Sequence, residues 1–103
     1  MIYMQATIQL RPGTMNDFAE CLSKEYIPVA SKHGMKLVAS WRTLVGPAEE
    51  VTDIWAFESL AAWEKIRQSQ AQDPVWRAAY DKVRSYCIIE TLKLLTPFPF
   101  SPM

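Results

Sequence analysis

The chain's 103 residues suffice for one domain, taken to run over residues 1–103, and for no second one. Half the residues are apolar and 21% are charged, which argues against disorder. Eleven Lys and Arg balance eleven Asp and Glu, so no excess positive field exists to gather phosphates or anionic lipid. Nucleic acid and membrane surfaces are therefore not expected partners, and no uncharged apolar run approaches the ~18 residues of a membrane helix.

The first residues, Met1-Ile2-Tyr3-Met4-Gln5, alternate like a strand. They carry neither a basic leader nor an Arg-rich amphipathic presequence, so a cytoplasmic location is expected. Residues 2–10 continue that strand, with Ile2, Met4, Ala6, Ile8 and Leu10 on one face. Arg11-Pro12-Gly13 breaks it, and Thr14 is placed to cap a helix. That helix's apolar face runs through Met15, Phe18, Leu22, Tyr26, Val29 and His33 to Gly34, a good residue just past a helix end. Pro28 lacks a backbone donor inside this helix, which predicts a kink or a break. Cys21 lies beside the apolar stripe and Cys87 in a later apolar run. Neither has the spacing of a metal site or a disulfide framework, so no metal is expected.

Residues 36–45 read as a second strand, 46–50 as a hairpin loop and 51–57 as a third strand, antiparallel to the second. Ser59 caps a helix over 60–70, and Asp73-Pro74 restarts it with Val75, Trp76, Ala79, Tyr80 and Val83 on the apolar face. Residues 86–95 form the last strand. The tail from Thr96 is too rich in proline to join a sheet interior. The order βαββαβ is that of the ferredoxin-like α+β fold, a four-stranded antiparallel sheet with its helices on one face. Leu37, Ala39, Trp41 and Val45 alternate with Val38 and Leu44, and Cys87 and Ile89 with Ile88, Leu92 and Leu94, so both faces carry apolar residues. A second copy of the sheet is the simplest cover, and a homodimer is expected.

The blocks Lys36-Leu37-Val38-Ala39-Ser40-Trp41-Arg42-Thr43, Val45-Gly46-Pro47 and Val51-Thr52-Asp53-Ile54-Trp55-Ala56-Phe57 resemble the NIPSNAP family. Asp73-Pro74-Val75-Trp76 and Pro97-Phe98-Pro99-Phe100-Ser101-Pro102 are similar to its bacterial single-domain members. The resemblance implies the dimeric α+β barrel superfamily and leaves the biochemical role undefined. That superfamily also holds cofactor-independent monooxygenases, haem-degrading enzymes and haem peroxidases with pockets between sheet and helices. The monooxygenases used in antibiotic biosynthesis enter the second helix through Trp-x-Ser and place a His seven residues after that Ser. Here the junction is Phe57-Glu58-Ser59 and the His position is Ile66, a departure at both. The junction implies that Phe57, Trp55, Asp53 and Val51 face the helices.

Pairing across the 46–50 loop sets Trp41 opposite Trp55, Thr43 opposite Asp53 and Ala39 opposite Phe57, with slips of two residues that would preserve face parity. Trp41, Trp55, Phe57 and Thr43 would then line a pocket for a small, largely apolar ligand in each subunit, needing no cofactor, around a single carboxylate. Burial would raise the pKa of Asp53 and suit it to general-base work, the basis of an alternative reading as a cofactor-independent monooxygenase or isomerase. A second alternative is a non-catalytic scaffold or interaction protein in which the same rings are core. His33, the sole histidine, is a further ligand-side candidate at a helix C-terminus and the only imidazole for the weaker haem reading. It lies too far along the sheet from Asp53 to form a dyad. Arg42, of opposite parity to Trp41, is expected at the dimer interface. Phe98 and Phe100, held extended by Pro97, Pro99 and Pro102, are expected to lay the tail across the subunit or its partner and bury at least one ring.

Overall fold

Strict alternation in the first strand gives β1 (Ile2–Leu10), whose even-numbered residues from Met4 to Leu10 are all buried, in a computed structural model that describes all 103 residues. The chain continues through α1 (Met15–Cys21), a π-helical turn (Leu22–Tyr26) and α2 (Ile27–Lys32). After β2 (Lys36–Arg42) and β3 (Glu50–Phe57) come α3 (Leu60–Ala71), α4 (Pro74–Arg84) and β4 (Cys87–Leu95). The four strands are antiparallel in the order β2-β3-β1-β4, with the helices packed on one face, as the ferredoxin-like reading requires. The result is a flat two-layer body of 38 × 36 × 19 Å. Phe18, Leu10 and Trp55 are its largest fully buried side chains.

Local chemistry explains most of the element ends. The α2 segment ends in a Schellman motif: Met35 N–H bonds the Ala30 carbonyl and Gly34 N–H the Ser31 carbonyl, with Gly34 at φ +93°. Ser59 Oγ accepts from Ala62 N–H at the start of α3. Asp73 Oδ1 accepts from Val75 N–H at the start of α4, with Pro74 in the first turn. Pro28 is accommodated neither by a sharp kink nor by a break. The helix widens by one residue just before it, Ile27 N–H reaching back to the Leu22 carbonyl, so that Pro28 falls in the first turn of α2, where a missing donor is harmless. Thr14 is not a side-chain cap. Its hydroxyl donates to the Arg11 carbonyl at 2.7 Å and closes the turn through Pro12 and Gly13.

The hairpin departs most from expectation. Pairing stops where Thr43 meets Glu50 through both backbone and side chain, and Leu44 and Val45 lie exposed in the loop instead of extending β2. Within β2 the register runs Leu37 opposite Trp55, then Ala39 opposite Ile54 and Ser40 opposite Asp53, so Val38 is an extra residue. This bulge inverts the parity of everything after it. Trp41 pairs with Thr52 on the helix-free face and is 59% exposed. Arg42, opposite Val51, takes helix-side parity at the sheet edge, not the helix-free parity expected of it. A second irregularity, between Gln9 and Leu10, leaves Ile88 unpaired in β4 and puts Cys87 and Ile89 on opposite faces.

Candidate functional site

On the helix side of the sheet, β1 contributes Met4, Ala6 and Ile8, a low central floor because Ala6 has almost no side chain. Asp53 and Trp55 of β3 rise on one side of it and Glu90 and Leu92 of β4 on the other. The helices do not close down on this floor. They leave a cavity of about 260 Å³, roofed by Leu22 and Tyr26 of the π turn, Trp63, Ile66 and Gln70 of α3, and Trp76 and Tyr80 of α4. The widened turn supports the placement of Tyr26, whose ring meets the edge of Trp55 at 5.9 Å and 76°. Trp76 and Tyr80, four residues apart on α4, stack on each other at 4.7 Å. Edge-to-face and stacked pairs of this kind each add ~0.5–1.5 kcal/mol beyond area burial.

Asp53 is 2% exposed, and Ser40 Oγ donates to its Oδ1 at 2.5 Å. Burial pushes the Asp53 carboxyl above the usual carboxylate range, partly opposed by that hydrogen bond. Glu90 is raised for the same reason, with Arg84 opposing and the charge of Asp53 adding to the shift. The Tyr26 phenol is driven up by burial and by its acidic neighbours, so it stays a neutral hydrogen-bond donor. Trp76 Nε1–H is buried at the cavity wall beside the Tyr26 phenol, whose rise it partly opposes, without reaching good hydrogen-bond geometry. Chemically this is an aromatic box with two desolvated carboxyls in its wall. No three His, Cys, Asp or Glu side chains converge on a point that would hold a metal ion.

Of the residues singled out from sequence, Asp53, Trp55 and Phe57 line the cavity. Trp41 and Thr43 do not, because the Val38 bulge carries Trp41 to the other face, and Thr43 bonds Glu50 at the hairpin mouth; Ser40 takes the place opposite Asp53. His33 also lies outside. Its Nε2 meets Asp73 Oδ2 at 2.7 Å and its Nδ1 meets Ser69 Oγ at 3.1 Å, clasping the end of α2 to the α3–α4 junction. Phe98 and Phe100 stack on each other at 5.1 Å but stay 70% and 82% exposed, so the tail does not dock on its own subunit. Sequence reasoning missed Glu90, Tyr26, Trp76 and Tyr80 as cavity groups. The alternation of Glu90 with Leu92, opposite the buried Ile8 and Ala6, was the available signal for the first.

Comparison with known proteins places this geometry. The NIPSNAP family model matches residues 3–102. A crystal structure of an Agrobacterium tumefaciens protein superposes with TM-score 0.91 at 29% identity, covering 100% of this chain and 99% of that one. An uncharacterised NIPSNAP domain protein from Burkholderia xenovorans gives TM-score 0.91 at 21% identity, with 100% of both chains covered. An antibiotic biosynthesis monooxygenase gives TM-score 0.70 at 12% identity over 96% of this chain and 100% of that one, a likeness of fold alone. No curated protein matches the sequence. The match of one family model across nearly every residue settles the relationship: this chain belongs to the NIPSNAP family.

Proposed function

We propose that this protein, acting as one domain in each half of a cytoplasmic homodimer, binds a small, largely apolar molecule in the cavity between sheet and helices. The observation that carries the reading is a cavity of about 260 Å³ with a carboxyl only 2% exposed in its wall. A core that merely packs would not keep open a space of this size around a desolvated acid.

The dimer is supported by surface. One chain exposes 6832 Å², whereas a compact monomer of its mass exposes ~5,900 Å². Trp41, Ile89, Leu95 and the tail rings contribute to that surplus.

Titration with indole or toluene, followed calorimetrically, tests the pocket. Saturable binding is expected in the wild type and its loss in Ala6→Phe, which fills the floor. Identical responses from the two proteins would overturn the reading.

A second reading, a cofactor-independent monooxygenase or isomerase, is favoured by one feature, the raised carboxyl of Asp53 held in place by Ser40. Turnover of any substrate found for the cavity should then vanish in Asp53→Asn while binding is kept.

A further inference from the structure

The polar groups of the cavity also specify the charge of its occupant, an inference that rests on the small-molecule reading above. Asp53 sits opposite Ala6 and Glu90 opposite Ile8, so the two carboxyls flank β1 from either side and overlook the same floor. Asp53 receives one hydrogen bond, from Ser40, and Glu90 receives none. Neither is part of any ion pair in the molecule. Arg67 itself lines the cavity, its guanidinium laid over Trp63 at 5.0 Å from the centroid, and Arg84 lies 5.4 Å from the Tyr80 centroid, where its charge opposes the rise of Glu90; neither forms an ion pair with a carboxyl. The aromatic side chains of Tyr26, Trp55, Trp76 and Tyr80 line the same cavity, Tyr26 edge-to-face with Trp55 and Trp76 stacked on Tyr80.

An anion entering this space would meet two acids against the single lining guanidinium of Arg67. A neutral ligand would leave the acids either charged and unpaired or protonated. A cation would complement the two acids through charge-assisted hydrogen bonds, with its apolar part against the aromatic wall. We propose that the cavity binds a small organic ammonium ion, its charged head between Asp53 and Glu90 and its apolar body against the rings.

Three probes of one skeleton separate charge from shape: phenethylammonium, 2-phenylethanol and 3-phenylpropanoate, titrated calorimetrically into the intact protein near neutral pH. The ammonium ion should bind at least about tenfold more tightly than the alcohol, and the carboxylate most weakly. The isosteric variants Asp53→Asn and Glu90→Gln should each reduce that preference several-fold and together erase it, while affinity for the alcohol is retained. Since the three-way comparison is made on the wild type, a poorly folding variant does not blunt it. Alcohol or carboxylate bound as tightly as the ammonium ion would overturn the cationic class and leave the pocket standing. Absence of binding by all three, in a protein that still binds indole, would also overturn it. Failure with indole as well would take the pocket reading down with it.

Discussion

Asp53 is the buried carboxyl on which the proposed function and a measurable part of the stability both depend. In the folded chain Asp53 and Glu90 hold their protons to higher pH than in the unfolded chain, burial being the main cause for each. Below the ordinary carboxylate range, near ~4, both states are protonated and nothing is lost. As pH rises from there through the folded-state values, the unfolded chain releases its protons first and stability falls. Asp53→Asn should therefore melt higher than wild type at pH 7, with each ~1 kcal/mol gained raising the midpoint by ~4–8 °C. That advantage should fade as pH is lowered toward ~4, and thermal melts across pH check it. A midpoint unchanged at pH 7 would mean that the carboxyl is not desolvated. The Phe57-Glu58-Ser59 junction is enough to set Asp53 and Trp55 on the helix side; Trp41 lies on the other face from the one its spacing predicts, because a bulge of one residue leaves no mark in a run as uniformly apolar as Leu37-Val38-Ala39.

Among the elements, capping chemistry and connection length were legible, and their contributions can be measured. Ser59 accepts the only side-chain cap bond at the start of α3, and Ser59→Ala should cost about 1 kcal/mol by denaturant titration. At the next helix start Asp73 has two tasks, capping α4 with one oxygen and meeting His33 with the other. Its carboxyl is held below the usual range, first by the hydrogen bond from His33, so its stabilisation is present above the unfolded pKa and is lost as pH falls. Asp73→Asn preserves the cap but not the charge. The variant should melt lower than wild type at pH 6 and converge with it in acid, whereas a uniform deficit at every pH would assign the loss to the cap. The π turn was foreseeable only as an irregularity before Pro28. Its form depends on how Leu22 and Tyr26 must both reach the core, a requirement that the proline alone does not state.

For the whole molecule the open question is what meets the helix-free face. It carries Trp41, Ile54, Ile89 and Leu95 among threonines and lysines, a mixed surface and not a continuous apolar one. Sedimentation at micromolar concentration should show a dimer, and Trp41→Glu should shift it toward monomer without unfolding it. A well-folded wild-type monomer under those conditions would remove the homodimer from the proposal. Removing residues 97–103 should weaken the dimer, because Phe98 and Phe100 find no cover within their own chain. Unchanged sedimentation and melting would leave the tail without that role.

The element order, the antiparallel sheet, the helix boundaries at Ser59 and Asp73 and the inward face of β1 all follow from signals within a few residues of one another. Periodicity, caps and short connections act locally and are written locally. The cavity is different in kind. It exists because Ala6 makes a low floor, a π turn and a stacked α4 pair set the height of the roof, and two bulges decide which side chains look inward. Each of those depends on contacts between segments tens of residues apart. Ser40, Glu90 and Tyr26 therefore come together around Asp53 only once the sheet has paired and the helices have packed against it.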